Sequence, residues 1–310
     1  MSKYSLVIHG GAGTILKESM TPEMETAYRK GLQATLDQGY DVLANGGTAV
    51  EAVLAATISL EDNILFNAGR GSVFGKDGKQ EMDASIMEGK ELMAGAVSAV
   101  RNIRNPVQLA YAVMTQTAHV MLNGQGANDF AASIGMKTEP DDYFYSPFRY
   151  EQWKQVQQSG EVALDHNIAV KEKKFGTVGA AACDMQGNIA AATSTGGMTN
   201  KQWGRVGDSP IIGAGTYANN KTCAISCTGH GELFIKAVAA YDVSCLVEYK
   251  GLSLQEAMNI VVHDKLMKIG GEGGMIGVDA KGNAAMIFNS EGMYRGIRSS
   301  EGMNEVAIYK

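Results

Sequence analysis

Apolar positions follow helical spacing in the first half of this chain and strand-like runs in the second. Residues 4–9 (YSLVIH) predict a buried strand, followed by a glycine turn at Gly10-Gly11-Ala12-Gly13. Thr21 before Pro22 is an N-cap with proline in the first turn. The helix it opens should run to about Gln38, where Gly39 can end it. Thr48 and Glu51 form a capping-box pattern. The second helix it starts has an apolar face of Val50, Val53, Leu54, Thr57 and Leu60. Residues 65–75 (LFNAGRGSVFG) predict a glycine-punctuated loop leading into strand-like sequence, and Asn105-Pro106 a third helix to about Leu122.

Residues 138–176 are polar and lack sustained periodicity. They predict a long, exposed, mobile connection with one helical piece near 147–158. Beyond them the pattern changes. Residues 177–184, a turn at 185–188 and residues 189–195 read as a hairpin, and 274–280, 281–283 and 284–290 repeat the plan. Both turns carry Asp-x-x-Gly-Asn. Between the hairpins lie a strand (222–229) and an apolar helix from Glu232 to about Tyr249. Ser253 and Glu256 cap a further helix ending at Gly270-Gly271. Two sheets between helix layers, an α+β arrangement, fit this order better than alternating βαβ units.

Glycine makes up 38 of 310 residues, about 12% against an average of about 7%, while proline is only 5. That balance points to tight turns and closely packed backbone rather than to linkers. The net charge is −6 with no basic block, which argues against a nucleic-acid surface. No apolar run is long enough to span a membrane. The N-terminus lacks the long apolar stretch of a signal peptide, so a cytoplasmic protein is expected. Cys223 and Cys227, in an apolar run, are expected to be buried free thiols. The five histidines show no ligand spacing, and no catalytic metal is expected.

Four segments can carry chemistry. Thr177 follows Gly176 and the polar stretch, and begins a rigid small-residue strand. A break between them would give Thr177 a free α-amine, with an ordinary pKa of about 7.7–8.0. Such an amine can take the proton from its own hydroxyl. Read from spacing alone, a glycine-threonine pair at a strand start is more often ordinary structure. The hydroxyls of TSTGGMTNK (193–201) can orient a nucleophile or simply fold a turn. In GRVGDSP (204–210), Arg205 suits a carboxylate and Asp208 an ammonium, or the two form a surface ion pair. In CTGHGE (227–232), Thr228 and backbone N–H groups at a strand-to-helix junction can stabilise an oxyanion.

Together with HGGAG (9–13), LFNAG (65–69), RNP (104–106), GAGTYANN (213–220) and FNSEGMYR (288–295), these segments resemble the plant-type asparaginase / isoaspartyl peptidase family of N-terminal-nucleophile hydrolases. The resemblance covers nearly the whole chain except 138–175. It implies one αββα four-layer domain over 1–310, cut by itself between Gly176 and Thr177 into fragments 1–176 and 177–310. It implies a dimer of such two-fragment units and small substrates, asparagine and β-aspartyl dipeptides. By position, Thr177 matches the nucleophile, Thr195 its supporting threonine, and Thr228 and Gly229 the oxyanion hole. Arg205 and Asp208 match the substrate anchors, Gly231 a backbone substrate contact, and Asn67 a residue near the nucleophile. No cofactor is implied for catalysis, but the 60–69 loop resembles one that holds a structural sodium. His230, between two glycines, and Arg70, after the loop, depart from the expected pattern. Glycosylasparaginase is a competing relative, though its nucleophile usually follows Asp and it is usually exported. An unprocessed binding or storage protein is the alternative of another class.

Overall fold

The computed structural model describes residues 3–159 and 174–310. The first stretch runs β1 (Ser5–Gly13), α1 (Pro22–Ala44), α2 (Ala49–Glu61), β2 (Met82–Glu88), β3 (Ala94–Val100), α3 (Pro106–Gln116), β4 (Met121–Asn123), α4 (Gly124–Ser133) and α5 (Pro147–Ser159). The second runs β5 (Lys174–Phe175), β6 (Val178–Cys183), β7 (Ile189–Thr195), β8 (Thr216–Ala218), β9 (Ala224–Gly229), α6 (Gly231–Ala237), α7 (Ala239–Lys250) and α8 (Leu254–Asn259), then β10 (Gly273–Val278), β11 (Ala284–Phe288), β12 (Gly292–Ser299) and β13 (Asn304–Tyr309).

The strands form two sheets. The larger has the order β13-β12-β1-β6-β7-β2-β3-β4, with β5 adding to β1, and the smaller is β11-β10-β9-β8. Side chains of a strand alternate between its faces, and the core follows that rule. Leu6 and Ile8 of β1 pack with Leu32 and Leu36 of α1 and Val53 of α2. Val7 joins Ala181 and Cys183 of β6, and Ile276 and Val278 of β10. A third cluster joins Ile225 and Cys227 of β9 to Phe234, Val243 and Val262. The fold is thus mixed α+β, with helix-packed apolar faces on both sheets.

Local signals account for several elements. The Thr21 hydroxyl accepts from Met24 N, and Thr48–Glu51 and Ser253–Glu256 form complete capping boxes. Both hairpins turn on the same device. Asp184 Oδ1 accepts from the N–H groups of Gln186 and Asn188, and Asp279 Oδ1 from those of Lys281 and Asn283, each at 2.9 Å.

Elsewhere packing overrides the sequence expectation. Gly10–Gly13 is the end of β1, not a turn, and its ladder bulges between His9 and Gly11. A side chain at Gly10 would collide with the Phe66 ring. The first helix does not stop at Gly39. There a Cβ would lie 2.6 Å from Leu6 Cδ2 and 3.0 Å from the Ala52 carbonyl, so the glycine serves close helix packing. The third helix ends at Gln116, and residues up to Leu122 enter β4, which pairs with β3 in parallel. On the expected α2 face, Val50 and Leu54 are only partly buried, while Ala52 and Ala56 are fully buried.

The helix expected from Glu232 to Tyr249 is two, α6 and α7, broken at Val238 with φ 48° and ψ 48°. Carbonyls of Gly213 and Ala214 accept from Tyr241 and Ala240 N, so the break lets the surrounding loop cap α7. After α8 the chain widens into a π-type spiral, Ile260–Leu266, and leaves it near Gly270, φ +76°. The helical piece expected near 147–158 is α5. Phe144, Arg149 and Val156 are buried, so this part of the 138–176 connection is anchored on one face, while Tyr145 and Phe148 among others stay exposed. Residues 160–173 of that connection lie outside the described residues. Cys223 and Cys227 are buried free thiols. No helix among the described residues is long and apolar enough to cross a membrane.

Candidate active site

Thr177 immediately precedes β6, whose neighbours are β1 and β7. It is buried, and its Oγ1 donates to Thr195 Oγ1 at 3.2 Å. Thr195 lies at the end of β7. Its hydroxyl donates to the Gly176 carbonyl at 2.8 Å and accepts from Gly197 N at 3.0 Å. Asn67 supplies a second donor to the same carbonyl, through Nδ2 at 2.7 Å. The other Nδ2 proton goes to Gly197 O at 2.8 Å, and Oδ1 accepts from Val73 N at 3.0 Å. Gly196 makes this arrangement possible, because a Cβ there would lie 2.5 Å from Asn67 Oδ1. The carbonyl joining Gly176 to Thr177 is therefore held by two donors, with a threonine hydroxyl beside it.

Arg205 and Asp208 face the same depression, but they are not simply each other's partner. The Arg205 guanidinium forks onto Glu232, with Nε and Nη2 each 2.8 Å from a carboxylate oxygen. Asp208 is buried, and its Oδ2 has no hydrogen-bond partner among the described residues. Burial pushes its carboxyl up to about 7, against the opposing pull of Arg205. An unpartnered buried carboxylate oxygen is costly unless a cation or donor reaches it. Gly231 closes this corner. A Cβ there would lie 2.9 Å from both Arg205 Nη2 and Asp208 Oδ1. His230 Nε2 approaches Glu232 Oε2 at 3.5 Å.

One depression is lined by Gly176, Thr177, Thr195, Arg205, Asp208 and Gly229, among others. Its free volume is about 20 Å³, room for a water molecule rather than an amino acid. Asn67, Thr228 and Gly231 do not line it, but each contacts or adjoins a residue that does. Thr228 is fully buried at the end of β9, where its Oγ1 accepts from Ala12 N at 3.3 Å. A larger groove of about 350 Å³, walled by Lys3, Ser253 and Asp279 among others, holds none of these residues.

Two residues at the site were not given roles from sequence. Glu232 belongs to a quoted motif, yet nothing local marks it as the partner of Arg205, 27 residues away. His9 is fully buried in β1 and contacts the Thr177 carbonyl through Nδ1 at 3.0 Å. A histidine inside an apolar strand needs partners for two ring nitrogens, which is the signal that would have found it. Arg70, the other departure from pattern, lies over the Tyr143 ring at 5.4 Å. Chemically, the arrangement joins a buried threonine hydroxyl, a doubly held carbonyl, a cationic fork and a buried acid.

Known proteins are similar to this chain over nearly its whole length. The model of the asparaginase family matches residues 2–308. An isoaspartyl peptidase of Salmonella typhimurium is 51% identical, covering 95% of each chain. An isoaspartyl peptidase of Escherichia coli is 50% identical, covering 95% of this chain and 92% of the relative. A probable isoaspartyl peptidase/L-asparaginase of Arabidopsis thaliana is 37% identical over the full length of both.

Proposed function

The chain belongs to the asparaginase family, and from that premise we propose that it is a self-cleaving threonine amidohydrolase acting on isoaspartyl dipeptides and on the side-chain amide of L-asparagine. The observation that carries this reading is the Gly176 carbonyl, held by Asn67 and Thr195 beside the Thr177 hydroxyl.

In maturation, Thr177 Oγ1 attacks the Gly176 carbonyl carbon. Negative charge develops on an oxygen that already has two donors. The C–N bond breaks, the nitrogen takes a proton and becomes the Thr177 α-amine, and Gly176 is left as an ester on Oγ1. Water hydrolyses that ester, giving fragments 1–176 and 177–310. Departure of the Gly176 end then clears the space that confines the depression to about 20 Å³.

In turnover, the Thr177 amine takes the hydroxyl proton while Oγ1 attacks the substrate's side-chain acyl carbon. Thr228 and the Gly229 N–H receive the oxyanion. The amine returns the proton to the departing ammonia or peptide amine, and a water activated by the same amine releases aspartate. Arg205 takes the α-carboxylate, and Asp208 takes the ammonium, which would supply the partner that its Oδ2 lacks. Gly231 leaves the approach open, and Asn67 serves near the nucleophile.

The finer architecture belongs to the same reading. The three apolar clusters support a four-layer αββα domain over 1–310. A dimer of cut units and a cytoplasmic location complete it. A structural sodium in the 60–69 loop has support in carbonyl crowding. Side chains at Gly69 and Gly71 would lie 2.5 Å from the Glu61 carbonyl and 2.7 Å from the Ile64 carbonyl. Backbone oxygens of this kind suit a hard cation, which would brace the loop that carries Asn67.

The test is Thr177→Ala. Wild-type protein should resolve into two bands on a denaturing gel and hydrolyse asparagine and β-aspartyl-leucine. The variant should stay one chain and hydrolyse neither. Hydrolysis by the variant overturns the assignment.

A further inference from the structure

His9 lies in β1, fully buried, with both ring nitrogens engaged. Nδ1 is 3.0 Å from the Thr177 carbonyl and Nε2 is 2.9 Å from Ser226 Oγ. A carbonyl only accepts, so Nδ1 must carry the proton. Burial pushes the imidazole down to about 3, so the ring is neutral and Nε2 is bare. Nε2 then accepts from Ser226, which spends that hydroxyl's single proton.

The same counting runs on through the molecule. Ser226 Oγ lies 2.7 Å from Thr193 Oγ1, and with its own proton spent it accepts from Thr193. The alternative acceptor for Thr193, Gly215 O, is farther at 3.2 Å and already receives Cys227 N at 2.9 Å. Thr216 Oγ1 donates to Thr193 in turn. Ser85 Oγ stands 2.6 Å from the Ser209 carbonyl, next to Asp208, and 2.8 Å from Thr216 Oγ1, so its single proton faces two acceptors and the one-way order begins at Thr216. All five groups are buried. They come from β2, β8, β7, β9 and β1, so successive groups alternate between the two sheets. Gly179 is the gap that admits it, since a Cβ there would overlap Ser226 Oγ and lie 2.6 Å from His9 Nε2.

We propose that His9 is a positioning residue for Thr177, held in its Nδ1–H tautomer by the Thr177 carbonyl on one side and, on the other, by a one-way line of hydroxyl donors, Thr216 to Thr193 to Ser226. This rests on the reading of Thr177 as the nucleophile. Its physical purpose follows from the cut. In the uncut chain Thr177 is tethered on both sides. Once Gly176 is released, Thr177 is a chain end, and chain ends fray unless tied down. The His9 donor on its carbonyl supplies that tie, one bond from the atom that bears both hydroxyl stem and amine. A neutral ring also spares the new amine a cationic neighbour, which would depress its basicity. Misplacement of a reacting group by about 1 Å can cost on the order of 100-fold, so the tie acts on kcat.

Two measurements test this. In protein labelled with ¹⁵N-histidine, the His9 ring should show a protonated Nδ1 and a bare Nε2 from pH 5 to 9. The same result is expected in the uncut Thr177→Ala chain. A protonated Nε2 overturns the proposal. In mature enzyme, Thr193→Val keeps the side-chain shape and removes the donor. It should lower kcat by about 10–100-fold with KM for asparagine little changed. Thr193→Ser, which restores the hydroxyl, should restore kcat. Wild-type kcat in Thr193→Val, or a change confined to KM, overturns the proposal. Failure of the nucleophile reading would look different, because Thr177→Ala would then hydrolyse substrate whatever the His9 tautomer.

Discussion

Replacing Asn67 by alanine should stall maturation without unfolding the protein. Its Nδ2 is one of two donors on the Gly176 carbonyl, at 2.7 Å beside Thr195 Oγ1 at 2.8 Å. That oxygen becomes an anion when Thr177 attacks. Removing one preorganised oxyanion donor typically costs about 10²–10³ in rate, or roughly 2.7–4 kcal/mol of barrier. Fragment appearance in Asn67→Ala should therefore slow by about that factor. The substitution also strips partners from Gly197 O and Val73 N, so some stability is lost as well. The two effects separate when cleavage is followed by intact mass well below the variant's Tm. Asn67→Asp gives a second arm. It can keep the Val73 contact but sets a carboxylate oxygen against two carbonyls, and it should cleave no faster than the alanine variant. Wild-type cleavage half-lives in both variants would refute the oxyanion reasoning.

Other outcomes follow from the same geometry. Asp208 has a folded value near 7 against an ordinary 3.8, so the folded protein holds the extra proton between those values. Its protonated form contributes stability that is full below about pH 4 and is lost as pH rises through 7, on the order of a few kcal/mol. Asp208→Asn should thus gain stability over wild type as pH rises from 4 to 8 in urea titrations, and parallel curves would contradict this. Gly231→Ala places a Cβ against Arg205 and Asp208 and should raise KM for asparagine about tenfold or more with cleavage intact, measured by steady-state kinetics. Ser253→Ala removes an N-cap on an outer helix and should cost about 1 kcal/mol in thermal unfolding while leaving activity unchanged.

Features written in adjacent residues were legible in the sequence. The caps at Thr21, Thr48 and Ser253 and the paired Asp-x-x-Gly-Asn turns satisfy their own backbone within a few residues, so no tertiary knowledge is needed. Gly39 was misread because a glycine that stops a helix and one that admits a neighbouring helix look alike in one dimension. The left-handed break at Val238 was invisible, since the carbonyls that reward it come from Gly213 and Ala214. At the site, motif resemblance singled out the residues that meet around Gly176 and Asp208. It assigned no role to Glu232 or His9. Their places at the site arise from partners 27 and 168 positions away, in strands and loops that only the fold brings alongside.

The order of the larger sheet has a consequence for any chain cut after Gly176. β1 would belong to the first piece, yet both of its long ladders, to β12 and β6, are made with the second. β7 of the second piece in turn pairs with β2 of the first. The larger sheet passes from one piece to the other at three ladders, so neither piece holds it whole, while the smaller sheet belongs entirely to the second. A cut molecule thus keeps the ladders that join its two pieces, but its refolding becomes an encounter between two strangers that depends on concentration. Synthesis as a single thread, with scission deferred until the weave is complete, removes that search.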